Sequence, residues 1–171
     1  RSELVRQRTA KVNQIRGLLS EYGIVVGRQV ATLRRALPEL LENAENGLSF
    51  DFRTLLDDLR QDLIRLDERE EEMSQKIHTL ANSIPAAKRL QSIPGIGPIS
   101  ATAIVCAVGD GKQFKRGRDL AAWLGLTPRQ QSSGGKDRLL GISKRGDSYL
   151  RMLLIQGAKS VIKVIGNKTD P

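Results

Sequence analysis

One cysteine and one histidine in 171 residues remove several kinds of chemistry at the outset. Cys106 alone cannot form a disulfide within the chain, and a cysteine-based zinc site lacks its ligands. It lies in the apolar run Ala101–Val108, where a buried, inert thiol is expected; such a thiol suits a reducing cytoplasm. His78 sits in a charged helical stretch and reads as a surface residue, not as a metal ligand or a general base. No metal site is expected among these residues. No apolar run reaches membrane-spanning length and no secretory signal is recognisable, so no membrane partner is expected. An initiator methionine is also missing. The chain opens on Arg1-Ser2-Glu3, already inside a helical pattern, as a piece of a longer protein would.

What the chain has is positive charge, unevenly placed. The formal net charge is +9. Residues 1–85 hold 13 Lys/Arg against 14 Asp/Glu, a net of −1; residues 86–171 hold 15 against 5, a net of +10. The whole excess lies in the second half, and such an excess favours a polyanion, nucleic acid above all.

Hydrophobic spacing predicts a mainly α protein: long coiled-coil helices, then a compact helical domain. Leu4, Val5, Val12, Ile15, Leu18 and Leu19 recur at helical spacing over 1–22, closed by Tyr22-Gly23. A second helical piece covers 28–46, and Pro38 within it is expected to open a new first turn. These two make up a segment of linker helices, 1–50. In 51–84, Phe52, Leu59, Leu66, Met73 and Leu80 are seven apart. Leu56, Leu63, Ile77 and Ile84 form a second seam that Glu70 interrupts. A heptad pattern held this long predicts a coiled coil over 51–85 and self-association through it. Pro85 ends the helix, and 86–171 follows as a basic domain. Its clearest helices are expected near 98–109, 117–125 and 145–165, with 126–144 a loop or short hairpin.

Two motifs in that domain carry chemistry. Pro94-Gly95-Ile96-Gly97, between a helix and the helix opening at Pro98, has the form of a helix-hairpin-helix turn. Its glycines allow close backbone approach to a phosphate, and the N–H groups of the next helix face the anion. Such contacts position a protein on DNA without reading sequence. The competing reading is a packing turn. The second motif is Gln131-Ser132-Ser133-Gly134-Gly135, set among Arg129, Lys136, Arg138, Lys144, Arg145 and Arg151. A serine on a glycine-rich cationic loop can bind a phosphate or attack one. Attack needs stabilisation of charge on phosphorus, which arginine and lysine supply. It also needs a base, and no histidine is near, so a metal or an outside base is required. Spacing alone favours passive phosphate binding.

Leu124-Gly125-Leu126-Thr127-Pro128-Arg129-Gln130-Gln131-Ser132-Ser133-Gly134-Gly135-Lys136, then Gly141-Ile142-Ser143-Lys144-Arg145-Gly146-Asp147 and Tyr149-Leu150-Arg151, closely resembles the C-terminal domain of the DEDD transposases. These are the bridge-RNA-guided insertion-sequence recombinases. Ser92-Ile93-Pro94-Gly95-Ile96-Gly97 and the stretch from Phe114 to Trp123 match the same domain. Asn13-Gln14-Ile15-Arg16-Gly17-Leu18-Leu19 and Glu21-Tyr22-Gly23-Ile24 resemble the family's linker helix. The resemblance implies a DNA transposase, a partner guide RNA and a homo-oligomer, dimer or tetramer, built on the coiled coil. It also implies Mg2+ held by four acidic residues of a ribonuclease-H-like half that has no counterpart in these 171 residues. The family's DNA-linked serine falls at Ser132 or Ser133; the first is slightly preferred. Pro94, Gly95, Ile96, Gly97, Arg129, Lys136, Arg138, Lys144, Arg145 and Arg151 are the expected DNA-binding residues. The alternative is a non-enzymatic helix-hairpin-helix DNA-binding module with a coiled-coil oligomerisation segment. A third possibility is an assembly protein whose basic end merely binds RNA or DNA. Neither needs an exposed serine in the loop.

Overall fold

A computed structural model describes the backbone of residues 1–133 and 136–165, and the side chains of 1–131 and 139–165. Helices dominate, as the sequence predicts, and the described residues form one two-stranded sheet. The chain divides into two compact units, Arg1–Lys76 and Ile77–Pro171.

The first unit contains α1 (Ser2–Glu21), α2 (Val30–Glu42) and most of α3 (Phe50–Ser83). Val12, Ile15 and Leu19 lie on one face of α1, Leu33 and Leu37 on one face of α2, and Phe52, Leu56, Leu59 and Leu63 on one face of α3. With Leu48 they form a single buried core. Each such side chain contributes about 1.5–3 kcal/mol on burial, so this core dominates the unit's stability. Its register is fixed by polar contacts along the rim. Lys11 Nζ meets Asp62 Oδ2 at 3.0 Å, Arg8 Nη1 meets Glu70 Oε2 at 3.2 Å, and Arg1 Nη2 meets Glu70 Oε1 at 2.6 Å. Falling numbers on α1 meet rising numbers on α3, so the two helices are antiparallel.

Those contacts explain Glu70. On the heptad reading it is a flaw in an apolar seam. In the structure it is buried, 8% exposed, held by Arg1 and Arg8 and by the Ser74 hydroxyl, which donates to Oε1 at 3.0 Å. The α3 seam from Phe52 to Leu63 is filled by α1 and α2 of the same chain. Farther along, Met73 and Leu80 are 37% and 53% exposed.

Two loop features depart from sequence expectation or add to it. Pro38 does not start a helix: α2 runs through it. The ring removes an N–H that would have bonded to the Arg34 carbonyl. Arg34 and Pro38 are both exposed, so water can satisfy that oxygen, and buried Leu33 and Leu37 hold the opposite side of the helix in place. Arg53 closes the α2–α3 connection. Its guanidinium donates to the carbonyls of Leu40, Leu41 and Asn43 and to Asn46 Oδ1, and its Nε donates to the Leu48 carbonyl, at 2.6–3.2 Å. The unpaired carbonyls at the C-terminal end of α2 are thereby satisfied.

In the second unit α3 ends at Ser83, and Ile84 is extended (φ −89°, ψ 113°), the conformation favoured before proline. Pro85 then opens α4 (Pro85–Leu90). It is followed by α5 (Pro98–Val108), α6 (Gly117–Trp123), β1 (Pro128–Ser133), β2 (Lys136–Ile142) and α7 (Ser148–Ile165). Asp147 caps α7, its Oδ1 accepting from the Tyr149 and Leu150 N–H groups at 2.8 and 2.9 Å. α5 packs on both α4 and α7. Among the described residues here the buried apolar ones are few and mostly small: Ala81, Ala87, Ala101, Leu124 and Leu150.

That thin core corrects the expectation for Cys106, whose side chain is exposed. α5 is apolar nearly all round, but it buries its Ser100–Ala101 face. At about 100° per residue, Cys106 stands about 140° round the helix from Ala101. His78 is exposed, as expected, its ring within 3.2 Å of the Asn82 amide.

Candidate nucleic-acid interface

Within the 126–144 stretch, β1 and β2 pair as an antiparallel hairpin. Gln130 pairs with Leu139, Gln131 with Arg138, Ser132 with Asp137 and Ser133 with Lys136. Between the Pro128–Ile142 and Gln130–Leu139 pairs the register slips, so Arg129 alone faces Leu140 and Gly141. A bulge of this kind twists the ribbon and re-aims the side chain beside it.

The base of the hairpin is a neck in which two backbone segments touch. Gly125 has φ +68°, and a β-carbon there would run into the backbone of Arg145. Gly146 has φ +118°, and a β-carbon there would run into the Trp123 carbonyl. The Ser143 N–H donates to the Thr127 carbonyl at 2.8 Å and the Lys144 N–H to the Gly125 carbonyl at 3.0 Å. Lys144 itself has φ +56°, uncommon for a side-chain-bearing residue. Side chains at either glycine would force the strands apart. The neck therefore fixes where Lys144 and Arg145 emerge, and both are exposed.

A polar groove of about 430 Å³ opens beside the neck, lined by Pro128, Arg129, Gln130, Gln131, Leu140, Ser143 and Arg145. It offers two guanidinium groups, amides and a hydroxyl. That donor set suits phosphate oxygens, with arginine able to bind in bidentate fashion. Sequence reading had selected Arg129 and Arg145 but not Gln130, Ser143 or the two neck glycines. The adjacent Leu-Gly-Leu and Arg-Gly-Asp runs held the clue, since they pair glycines across the hairpin base.

The predicted residues separate into groups. Arg129, Lys144 and Arg145 gather at the neck as exposed cations. Arg151 is partly buried, and its Nη1 donates to the Leu124 carbonyl at 3.0 Å, tying α7 to the neck. The turn Pro94-Gly95-Ile96-Gly97 joins α4 to α5, but it docks on α7: a β-carbon at Gly95 would stand 2.7 Å from the Gly157 carbonyl. Gly157 lies six residues beyond Arg151, about 9 Å along the helix axis. At Gly95 the absence of a side chain is required by packing. The side chains of Ser132, Ser133, Lys136 and Arg138 lie outside the described residues. Among the described residues no group of three or more His, Cys, Asp or Glu side chains is placed to hold a metal ion. No helix of the described residues is long and apolar enough to cross a membrane.

Residues 87–169 match the family described as Transposase IS116/IS110/IS902. The matched domain lies within the second unit. All of the predicted site residues, from Pro94 to Arg151, fall within that domain. Relatives extend the likeness across the chain. A probable family 20 transposase of Pseudomonas aeruginosa is 45% identical over 171 residues, covering 99% of this chain and 51% of the relative. The transposase for insertion sequence element IS1111A of Coxiella burnetii is 42% identical over 170 residues, covering 99% and 47%. The transposase for insertion sequence element IS1328 of Yersinia enterocolitica is 41% identical over 161 residues, covering 93% and 47%. The chain spans about half the length of the curated relatives it matches.

Proposed function

We propose that this chain is the DNA-handling part of an insertion-sequence transposase, binding DNA through the hairpin neck and supplying Ser132 or Ser133 as the nucleophile for strand cleavage and exchange. The observation that carries this reading is the cationic groove beside the serine hairpin, inside a segment matched to a transposase family. The step is a transesterification. The serine oxygen bonds to phosphorus as a DNA phosphodiester bond breaks, and a free 3′-hydroxyl on the exchanged strand later reverses it. Arg129 and Arg145 hold the phosphate and offset its developing charge, and Lys144 contacts its neighbours. Arg151 acts mainly on the neck, and Lys136 and Arg138 extend the cationic strand. The turn at 94–97 has a smaller role in DNA contact, because Gly95 is committed to α7.

The reading includes a Mg2+-binding acidic half outside these residues. The described side chains provide no ligand cluster for the ion, so no step here passes through it. It also includes a guide RNA, assembly of copies through the 51–85 helix, and work in the bacterial cytoplasm. Alone, the 171-residue chain binds DNA with steep salt dependence and does not cut it.

The test uses the whole transposase containing this segment. Ser132→Ala or Ser133→Ala abolishes strand exchange while duplex binding, measured by gel shift, stays within about twofold, since one neutral hydroxyl adds little to phosphate affinity. Normal recombination by both single variants removes the serine assignment.

A further inference from the structure

A second basic cluster stands next to the neck and belongs to none of the roles above. Gly111 to Arg118 contains Lys112, Lys115, Arg116 and Arg118 and no acidic residue. All four side chains are exposed. The flanking acids are already engaged. Asp110 accepts from the Lys112 N–H at 3.2 Å and pairs with its Nζ at 2.9 Å, and Asp119 Oδ2 accepts from the Arg116 N–H at 3.0 Å. None of the ion pairs among the described residues involves Lys115, Arg116 or Arg118.

Two contacts place the cluster beside the hairpin neck. Phe114 packs edge-on against Trp123, ring centroids 5.6 Å apart. The Trp123 carbonyl is the group that Gly146 approaches. One end of α6 thus carries Arg116, and the other leads through Leu124 to the neck where Lys144 and Arg145 emerge. Seven helical residues span about 10 Å, roughly three base-pair steps along B-DNA. Trp123, 40% exposed, ends α6 on the neck side and touches Phe114 of the cationic loop.

We infer that the Lys112–Arg118 loop is a second contact surface for the backbone of duplex DNA, continuous with the hairpin neck through Trp123. The inference rests on the DNA-binding reading above and extends its footprint. The same duplex held at Arg129 and Arg145 continues across α6, and Lys115 and Arg116 neutralise phosphates that carry no sequence information.

Trp123 is the sole tryptophan of the sequence, which gives the surface its own reporter. The full chain is titrated with a 20-base-pair duplex while its fluorescence is followed at several salt concentrations. Binding quenches the signal. The double variant Lys115→Ala/Arg116→Ala binds about tenfold more weakly near 0.1 M salt, and its log K against log salt slope falls by about 1.8. Circular dichroism verifies that the variant is folded, and Lys115→Gln/Arg116→Gln serves as the milder replacement. Arg129→Ala/Arg145→Ala also lowers the slope but keeps the quench at saturation. If the Lys115/Arg116 variants keep wild-type affinity and slope while the Arg129/Arg145 variant loses both, the second surface is refuted and the proposed function stands. If the wild-type chain binds no duplex at low salt, the DNA-binding reading itself fails. A structured RNA of equal charge that binds this loop more tightly than duplex DNA overturns the choice of polymer.

Discussion

The two units of this chain spend their side chains differently. In residues 1–76, ten large apolar side chains share one core, and the cations of α1 and α2 that face α3 meet its acids: Arg1 and Arg8 at Glu70, Lys11 at Asp62, Arg34 at Asp67. Among the described residues of 77–171 the buried apolar groups are mostly alanines, and the close contacts are made by backbone at glycine: Gly95 on Gly157, Gly125 on Arg145, Gly146 on Trp123. There most cations of the described residues face solvent; Arg151 is the exception. The first unit uses charge to fix helix register; the second leaves charge unneutralised on a scaffold whose shape glycines determine. Unneutralised cations repel one another and lower stability, a cost that a bound polyanion, as proposed above, would offset.

Five experiments break or sharpen this contrast, in order of expected effect. Leu56→Ala, at a fully buried position of the first core, costs about 3 kcal/mol. Denaturant unfolding measures the loss, and hydrogen exchange localises it to residues 1–76. A loss under 1 kcal/mol would mean that the core is not what holds this unit. Gly125→Ala costs about 2 kcal/mol through its positive φ and the clash with Arg145. It should impair DNA binding and leave amide protection in the first unit unchanged; equal loss of protection in both units would erase the contrast. Arg53→Ala, which removes five hydrogen bonds to the α2–α3 connection, costs about 2 kcal/mol by the same unfolding measurement. Arg145→Ala leaves the unfolding midpoint in place and lowers the salt slope of DNA binding by about 0.9; a shifted midpoint would make Arg145 a structural residue.

The smallest effect concerns pH. Lys112 beside Asp110 holds that carboxyl below its ordinary range. A depressed carboxylate stabilises the fold above its unfolded value, and the contribution fades as pH falls through the lowered folded value. Lys112→Ala therefore moves the Asp110 titration midpoint back up, as followed by NMR, with little change in global unfolding. An unmoved midpoint would show that the backbone N–H alone sets it.

Much of the architecture was legible in order along the chain. Val12, Ile15 and Leu19 mark their face by spacing alone, Pro85 breaks the long helix, and turn residues announce a hairpin at 126–144. What spacing alone leaves out shares a cause. Glu70 is a flaw in a heptad until Arg1 and Arg8, more than 60 positions away, come to meet it. Cys106 looks buried because its neighbours are apolar, yet α5 buries its Ser100–Ala101 face and leaves Cys106 exposed. Gly95 has the form of a phosphate-binding turn, and its partner proves to be Gly157.

Local spacing, proline and turn chemistry act between residues a few positions apart, so the sequence by itself determined the helices, the long α3, the hairpin and the one-sided charge. Tertiary structure alone decided which cations are neutralised, which glycines serve packing, and that the hairpin neck, the groove and the α5–α6 loop stand together. Those outcomes depend on distances between residues far apart in the chain, and only the folded backbone sets such distances.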